Sequence, residues 1–116
     1  MSADNAKARD AIDGVIQVCE TLGELVDMTI DEFLADIRSQ WAAEMGLIRI
    51  GEGINRIPQS ILSSFTEQPW RQIIGMRNFA AHQYNDLDPR RVWRTVTIDV
   101  PALRTYLADV VMKGLP

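Results

Sequence analysis

The sequence of 116 residues contains one cysteine, one histidine and few aromatic residues, which make up 7% of it. A single cysteine, Cys19, excludes an internal disulfide, and its place on an apolar stripe predicts that it lies in the core. A single histidine without paired carboxylates or cysteines is a poor ligand set, so we expect neither a metal site nor a cofactor. No apolar run approaches the ~20 residues that cross a bilayer, and residues 1–5 lack the basic and apolar regions of a secretory signal. We therefore expect a protein of the reducing cytoplasm that has no membrane contact.

Positive charge is scarce in the first part of the chain and concentrated in the second. Residues 1–69 hold 5 Lys/Arg against 12 Asp/Glu, and residues 70–116 hold 7 against 4, which together give the net charge of −4. The acidic total argues against a protein that coats nucleic acid in general. The arginines of the second part surround the only histidine and can present a local basic surface to phosphate.

The apolar residues recur at helical spacing almost throughout. Steps of three and four residues from about 5 to 26 predict a first amphipathic helix. Thr29 and Glu32 form a predicted capping box, with Met28 and Phe33 placed as a hydrophobic staple, so a second helix begins there. This helix continues to Pro58, is divided into a short and a long piece near Ser39, and is apolar on two faces. We therefore expect this helix to lie at the centre of the fold, where both of its apolar faces have neighbours.

Glycine and proline mark the rest of the architecture. Three glycines in the long helix (46, 51 and 53) predict close approach by another helix, because each costs about 1 kcal/mol relative to alanine. Residues 58–69 are predicted to be a loop with one helical turn, and Pro69 is predicted to be the first residue of the next helix. Asp88 and Pro89 open a short helix to about residue 96, and Asp99 and Pro101 open the last one, to Gly114.

These elements predict an all-α fold, an up-and-down four-helix bundle with short accessory helices, formed as a single domain over residues 1–116. The short connections favour antiparallel neighbours. The three tryptophans are assigned to packing rather than to stacking on bases: Trp41, Trp70 and Trp93.

The segment that bears on chemistry is 77–84, Arg-Asn-Phe-Ala-Ala-His-Gln-Tyr. On a helix, Arg77 and Tyr84 lie on one stripe, and Asn78 and His82 lie on the adjacent one. Cleavage of RNA by its own 2′-hydroxyl needs a base, an acid and positive charge at phosphorus, which histidine and arginine supply. A lone Arg and His on a bundle helix also occur as a structural cap or surface pair, and the spacing alone does not decide between the two.

A mechanism with one histidine as the base and another as the acid needs two histidines, and the chain has one. A two-fold dimer would supply the second. An isologous interface brings the same segment of both subunits together, so that one imidazole can act as the base and the other as the acid. The broad apolar surface of the central helix favours dimerisation on independent grounds.

Residues 70–84, together with 92–96 (Val-Trp-Arg-Thr-Val), resemble the HepT-like branch of the HEPN superfamily, the toxins of HepT/MntA toxin–antitoxin pairs. The likeness also covers residues 50–52 and extends over most of the chain. The motif of this branch, Arg-x4-His-x-Tyr, is met in full by Arg77, His82 and Tyr84. The polar residue that usually follows the arginine is Asn78.

The resemblance implies a metal-independent endoribonuclease of a type II or type VII toxin–antitoxin system, with RNA as its substrate and a composite active site in a homodimer. Arg77 and His82 would then be catalytic, with Asn78 in support. Tyr84 would accept AMP from an MntA-like minimal nucleotidyltransferase, the antitoxin, which could also form a higher assembly with the dimer. The added bulk and negative charge would lie where RNA phosphate must bind.

Two other classes of function remain open at this point. The chain could be a non-catalytic helical bundle that binds a nucleotide or a nucleotidyltransferase partner through the same motif. It could also be a purely structural dimerisation module, in which case Arg77 and His82 would both be freely replaceable.

Overall fold

The computed structural model describes residues 3–79 and 87–116, and no β-strand occurs among them. The helical elements are α1 (Ala3–Leu25), α2 (Ile30–Leu34), α3 (Ile37–Asn55), α4 (Gln59–Leu62), α5 (Trp70–Gly75), a 3₁₀ turn (Met76–Asn78), α6 (Pro89–Arg94), a π turn (Thr95–Asp99), α7 (Val100–Tyr106), a second π turn (Leu107–Val111) and α8 (Met112–Gly114). None of the described helices is both long and apolar enough to span a membrane.

Helices α1 and α3 form an antiparallel pair that contains two glycine contacts. Gly46 lies against the Leu22 side chain, and Gly53 lies against Val15. Residue numbers rise along one helix as they fall along the other, so the two helices run in opposite directions. A side chain at either glycine would occupy the space that its neighbour fills, and close packing is therefore possible only without a Cβ.

The C-terminal helix runs from 89 to 114 without a break and packs antiparallel to α1. Arg104 forms an ion pair with Glu20 at 3.2 Å, and further along Arg9 donates to the sulfur of Met112 at 3.5 Å. Together with α3 and the segment from α5 to the 3₁₀ turn, these elements form the expected up-and-down four-helix bundle. The prediction of an all-α bundle is confirmed.

One apolar cluster fills the space between the helices. Its fully buried large side chains come from α1, α2, α3, α4 and the C-terminal helix: Ile12, Val15, Leu22, Phe33, Leu47, Ile50, Ile54, Leu62, Val96, Leu107 and Val111. Cys19 is buried in the same cluster, as predicted, and its burial raises the pKa of the thiol to about 12. This thiol therefore stays protonated at neutral pH.

The capping box at the start of α2 is confirmed. The Thr29 hydroxyl accepts from the backbone N–H of Glu32, and the Glu32 carboxylate accepts from the backbone N–H of Thr29 at 3.0 Å. The hydrogen bond from the Thr29 backbone N–H, followed by one that the Thr29 hydroxyl donates to the same carboxylate, lowers the pKa of Glu32. The division into a short and a long helix is also present, but it falls at residues 35–36 and not at Ser39. Asp36 caps α3, and the Ser39 hydroxyl donates to its carboxylate at 2.6 Å, so Ser39 supports the cap from inside the helix.

The prediction of two separate C-terminal helices is wrong. The Asp88 cap is present, with its carboxylate accepting from the Arg90 amide at 3.0 Å, but the chain stays helical beyond residue 96. Pro101 is accommodated because the π turn before it adds a residue, so that the amide of Val100 donates to Thr95, five residues back. A regular helix would place the Pro101 ring against the carbonyl four residues earlier, and the wider turn relieves this clash.

Two smaller expectations also change. Pro69 is the N-cap of α5 rather than its first helical residue.

Trp70 and Trp93 are half-buried and their indole N–H groups donate to backbone carbonyls, which confirms a packing role for both. Trp41 is 67% exposed, so its assigned packing role is not found among the described residues of its own chain. It lies on the outer face of α3, one turn after the exposed Ile37.

The segment from α5 to the 3₁₀ turn packs against α3 at Gly51. A Cβ at Gly51 would lie 2.8 Å from the backbone nitrogen of Arg77, 2.9 Å from the carbonyl oxygen of Ile73 and 3.0 Å from that of Ile74. The predicted close approach to this glycine is therefore confirmed. The contact is made by backbone, which cannot rotate away as a side chain can.

Replacing Gly51 by alanine is expected to destabilise the protein by about 1–3 kcal/mol, because the added methyl group forces α5 away from α3. Gly14, an exposed glycine in α1 with nothing within 4 Å of its Cβ position, is the matched control. Gly14→Ala should instead stabilise the protein by about 0.5–1 kcal/mol through helix propensity. Urea unfolding followed by circular dichroism measures both changes. Equal changes for the two variants would contradict the close approach.

Candidate active site

Arg77 and Asn78, two of the predicted site residues, lie in the 3₁₀ turn that follows α5. Arg77 is half-buried and Asn78 is exposed. The Gly51 contact involves the backbone nitrogen of Arg77, so the position of this residue is set by the backbone of α3. The structure therefore places a guanidinium and a carboxamide at neighbouring positions of one tightly packed turn.

His82 and Tyr84 lie outside the described residues. Their placement relative to Arg77 and Asn78 therefore remains a prediction from the sequence.

The start of α5 is anchored by an aromatic pair. The Trp70 indole N–H donates to the carbonyl of Phe65 at 2.6 Å, and the Trp70 ring lies 6.1 Å from that of Tyr106, tilted by 56°. The Tyr106 hydroxyl donates to Glu67 at 2.7 Å. Burial, followed by this hydrogen bond, raises the pKa of Tyr106 to about 12. These contacts connect the loop before α5 to the C-terminal helix, and they hold the first residue of α5 in place.

Arg77 carries a charge that no acidic side chain in the described part of the chain neutralises. The only ion pair within 3–79 and 87–116 joins Arg104 and Glu20, whose side chains are 44% and 50% exposed. Over the same ranges, no group of three or more His, Cys, Asp or Glu side chains could hold a metal ion. The guanidinium of Arg77 is therefore free of the described carboxylates and can interact with an anion.

A groove of ≈ 330 Å³ lies between the 3₁₀ turn and α6. Leu47 of α3 lines it together with Met76 and Phe79, which flank Arg77 and Asn78 in sequence. The opposite side carries one carboxylate and one guanidinium among its lining residues: Leu87, Asp88, Arg91, Val92 and Thr95. We call it the turn–α6 groove. The sequence did not predict this feature, because it depends on how far apart two helices pack against α3.

An apolar ridge on the outer face of α3 gives residues to the broad apolar surface that the sequence predicts for the central helix. Ile37, Trp41 and Met45 follow one another at intervals of four residues and are 54%, 67% and 49% exposed. Leu25, at the end of α1, is 50% exposed and lines the same groove as Met45. The four-residue apolar repeat beside the buried stripe of α3 is the sequence signal of this ridge.

Comparison with known proteins identifies the family. The model of the family described as "Ribonuclease HepT-like" matches residues 15–110, which include the whole motif segment. The chain belongs to the HepT-like ribonuclease family. The resemblance inferred from the motif is thereby confirmed.

Individual relatives agree with this assignment. A probable ribonuclease HepT of Thermococcus cleftensis is 31% identical over 97 residues, which cover 83% of this chain and 88% of that protein. A candidate RNase of Caldanaerobacter subterraneus subsp. tengcongensis is 27% identical over 106 residues, covering 90% of this chain and 95% of that protein. A candidate RNase of Methanocaldococcus jannaschii is 27% identical over 100 residues, covering 83% and 92%. No solved structure matches the chain.

Proposed function

We propose that this HepT-like protein is a metal-independent endoribonuclease that acts as the toxin of a toxin–antitoxin pair. The observation that carries the proposal is the family match over residues 15–110, within which Arg77 and Asn78 occupy a turn packed against α3. Relatives that cover most of the chain bear ribonuclease names, which supports RNA as the substrate class.

In the proposed reaction, the 2′-hydroxyl of the RNA attacks the adjacent phosphorus and the bond to the 5′-oxygen breaks. One His82 imidazole removes the proton of the 2′-hydroxyl, and the His82 of a second subunit donates a proton to the leaving 5′-oxygen. Arg77 interacts with the negative charge that develops on the phosphorane oxygens, and Asn78 positions the phosphate by hydrogen bonding. The proton count balances, because one imidazole gains the proton that the other loses.

The second subunit is proposed to dock on the apolar ridge. A contiguous exposed apolar surface is typical of an interaction site, and Trp41 is the kind of aromatic residue that dominates interface energies. The ridge has a groove on each side, one toward Leu25 of α1 and one toward Pro89 of α6. A ridge beside grooves is self-complementary under a two-fold axis, so each copy can insert its ridge into a groove of the other.

Tyr84 is proposed to be the site at which a minimal nucleotidyltransferase attaches AMP. The tyrosine hydroxyl attacks the α-phosphorus of ATP, pyrophosphate leaves, and the adenylyl group then adds bulk and negative charge beside Arg77. The intact mass of protein co-expressed with such an enzyme tests this assignment. AMP on wild type and on Tyr84→Phe alike would refute the choice of residue.

Replacing His82 or Arg77 by alanine is expected to slow RNA cleavage by about 10²–10⁴-fold, since each change removes a group needed only in the transition state. Cleavage of a fluorescent oligoribonucleotide in the presence of EDTA measures the loss, and circular dichroism checks that the helices remain. Arg71→Ala, at an exposed arginine of α5, is the matched control and should retain activity within a few-fold. Wild-type dimer that cuts no RNA yet binds a nucleotidyltransferase would instead favour the non-catalytic binding module.

Replacing Trp41 by glutamate is expected to convert the dimer to a monomer, because the charge would be buried in an apolar interface without a partner. RNA cleavage should fall with it, since the site needs two subunits. Sedimentation velocity measures the assembly. Ile98→Glu is the matched control, because Ile98 is 58% exposed but belongs to the C-terminal helix and lines neither groove beside the ridge. A Trp41→Glu protein that remains dimeric would rule out the ridge as the interface.

A further inference from the structure

The exposed face of α3 carries charged side chains on both sides of its apolar ridge. Arg38 and Glu52 are exposed, and Met45 of the ridge lies midway between them, seven residues from each. Seven residues make nearly two full turns at ~3.6 residues per turn, so the three side chains lie on one stripe of the helix. The stripe therefore has a cation at one end, an apolar centre and a carboxylate at the other end.

The cation at the start of this stripe has no ion-pair partner in the part of the chain that the structure describes. The carboxylate nearest to Arg38 in sequence is that of Asp36, and it serves as the cap of α3. It accepts from the backbone N–H of Arg38 and from the Ser39 hydroxyl. The guanidinium of Arg38 is therefore available to a carboxylate from outside the chain.

The carboxylate at the other end lies among mixed charges. Glu52 lines a cavity between α1 and α3 together with Asp10, Arg49 and Arg56, and it forms an ion pair with neither arginine. The cavity lining thus holds two carboxylates and two guanidiniums. A surface with both signs of charge around an apolar centre suits a protein partner better than a polyanion such as RNA.

A two-fold axis at Met45 brings the opposite ends of two such stripes together. In an antiparallel isologous contact centred on residue 45, each residue lies opposite the residue that is equally far beyond the centre on the other copy. Arg38 then lies opposite Glu52 of the partner subunit. Because the contact is symmetric, the same pair of opposite charges forms twice.

The same register places the ridge against a groove. Trp41 is four residues before Met45 and Arg49 is four residues after it, so Trp41 lies opposite Arg49 of the partner subunit. Arg49 and Met45 line the cavity of ≈ 450 Å³ between α1 and α3. A cavity of this size can receive an indole side chain, and a guanidinium at its rim can stack on the face of the ring.

Other registers lose this complementarity. Moving the partner helix by one turn in one direction places Arg38 opposite Arg56 of the partner subunit, which sets two cations against each other. Moving it by one turn in the other direction places Arg38 opposite Ile48 of the partner subunit and leaves its charge without a partner. Charge therefore favours the register that is centred on Met45.

We propose that two copies of the chain pair their α3 helices antiparallel about Met45, with reciprocal Arg38–Glu52 ion pairs and with Trp41 inserted between α1 and α3 of the partner subunit. The inference rests on the dimer of the proposed function and adds the residues that set its register. Glu52 follows Gly51, which contacts the backbone of Arg77, so the interface extends to the element that supports the candidate site.

Exchange of the two charges tests the register. Arg38→Glu and Glu52→Arg each set like charges against each other twice in a homodimer, so each should raise the dimer Kd by about tenfold or more. An equal mixture of the two variants should form a heterodimer with a Kd near that of wild type, because every new charge then lies opposite its complement. Both changes in one chain should restore the homodimer for the same reason.

Sedimentation velocity with one variant fluorescently labelled measures these constants, and circular dichroism checks that the helices remain. Arg90→Glu is the matched control, because Arg90 is exposed and lines neither groove beside the ridge. It should leave the dimer Kd near wild type. A mixture that dimerises no better than either variant alone, or single variants that dimerise as well as wild type, would overturn the register.

These outcomes separate the register from the proposed function. Charge exchange without effect, in a protein that Trp41→Glu converts to a monomer and that cleaves RNA, refutes the register and leaves the ridge interface and the ribonuclease in place. Recovery of the dimer in the mixture, in a protein that cleaves no RNA, supports the register and refutes the ribonuclease. Wild-type protein that is monomeric at every concentration refutes the register and the shared active site together.

Discussion

The proposed site depends on one constraint, a close contact between two backbone segments. The backbone of α3 at Gly51 lies against the backbone of the segment from α5 to the 3₁₀ turn. Backbone atoms of Ile73, Ile74 and Arg77 lie where a Cβ of residue 51 would be. The position of Arg77 is therefore coupled to the central helix of the bundle, and through Leu47 and Ile50 to the buried core. Because the backbone at Arg77 is already fixed, binding of phosphate by its side chain does not have to order the main chain.

Local chemistry explains why much of the fold was predictable. The Thr29 capping box, the Asp88 cap and the apolar repeats of α1 and α3 each involve residues within a few positions of one another, and all are present. The errors arose where one local cap prevailed over another possible break, or where a rare backbone form decided the outcome. Asp36 displaced the predicted break at Ser39 by capping α3 with its own carboxylate. A π turn before Pro101 allowed a helix to continue where proline predicts a new start.

The candidate site was predictable in part for a similar reason. The motif from Arg77 to Tyr84 is a local pattern, and it led to the correct family. The apolar ridge and the turn–α6 groove depend on which faces of the helices remain uncovered after packing. Trp41 illustrates the limit, because an apolar residue at helical spacing reads as core until a neighbouring helix is shown to be absent. The sequence predicts an apolar surface on the central helix, and packing decides which of its residues stay exposed for a second subunit.

The central claim is that one active site draws an imidazole from each of two subunits. Mixed dimers, purified through two different affinity tags so that each contains one wild-type and one His82→Ala subunit, test it most directly. The account predicts that the mixed dimer cleaves an oligoribonucleotide about 10²-fold or more slowly than the wild-type dimer, because the shared cleft lacks either its base or its acid. A mixed dimer with half the wild-type activity would show that each subunit works alone and would contradict the account.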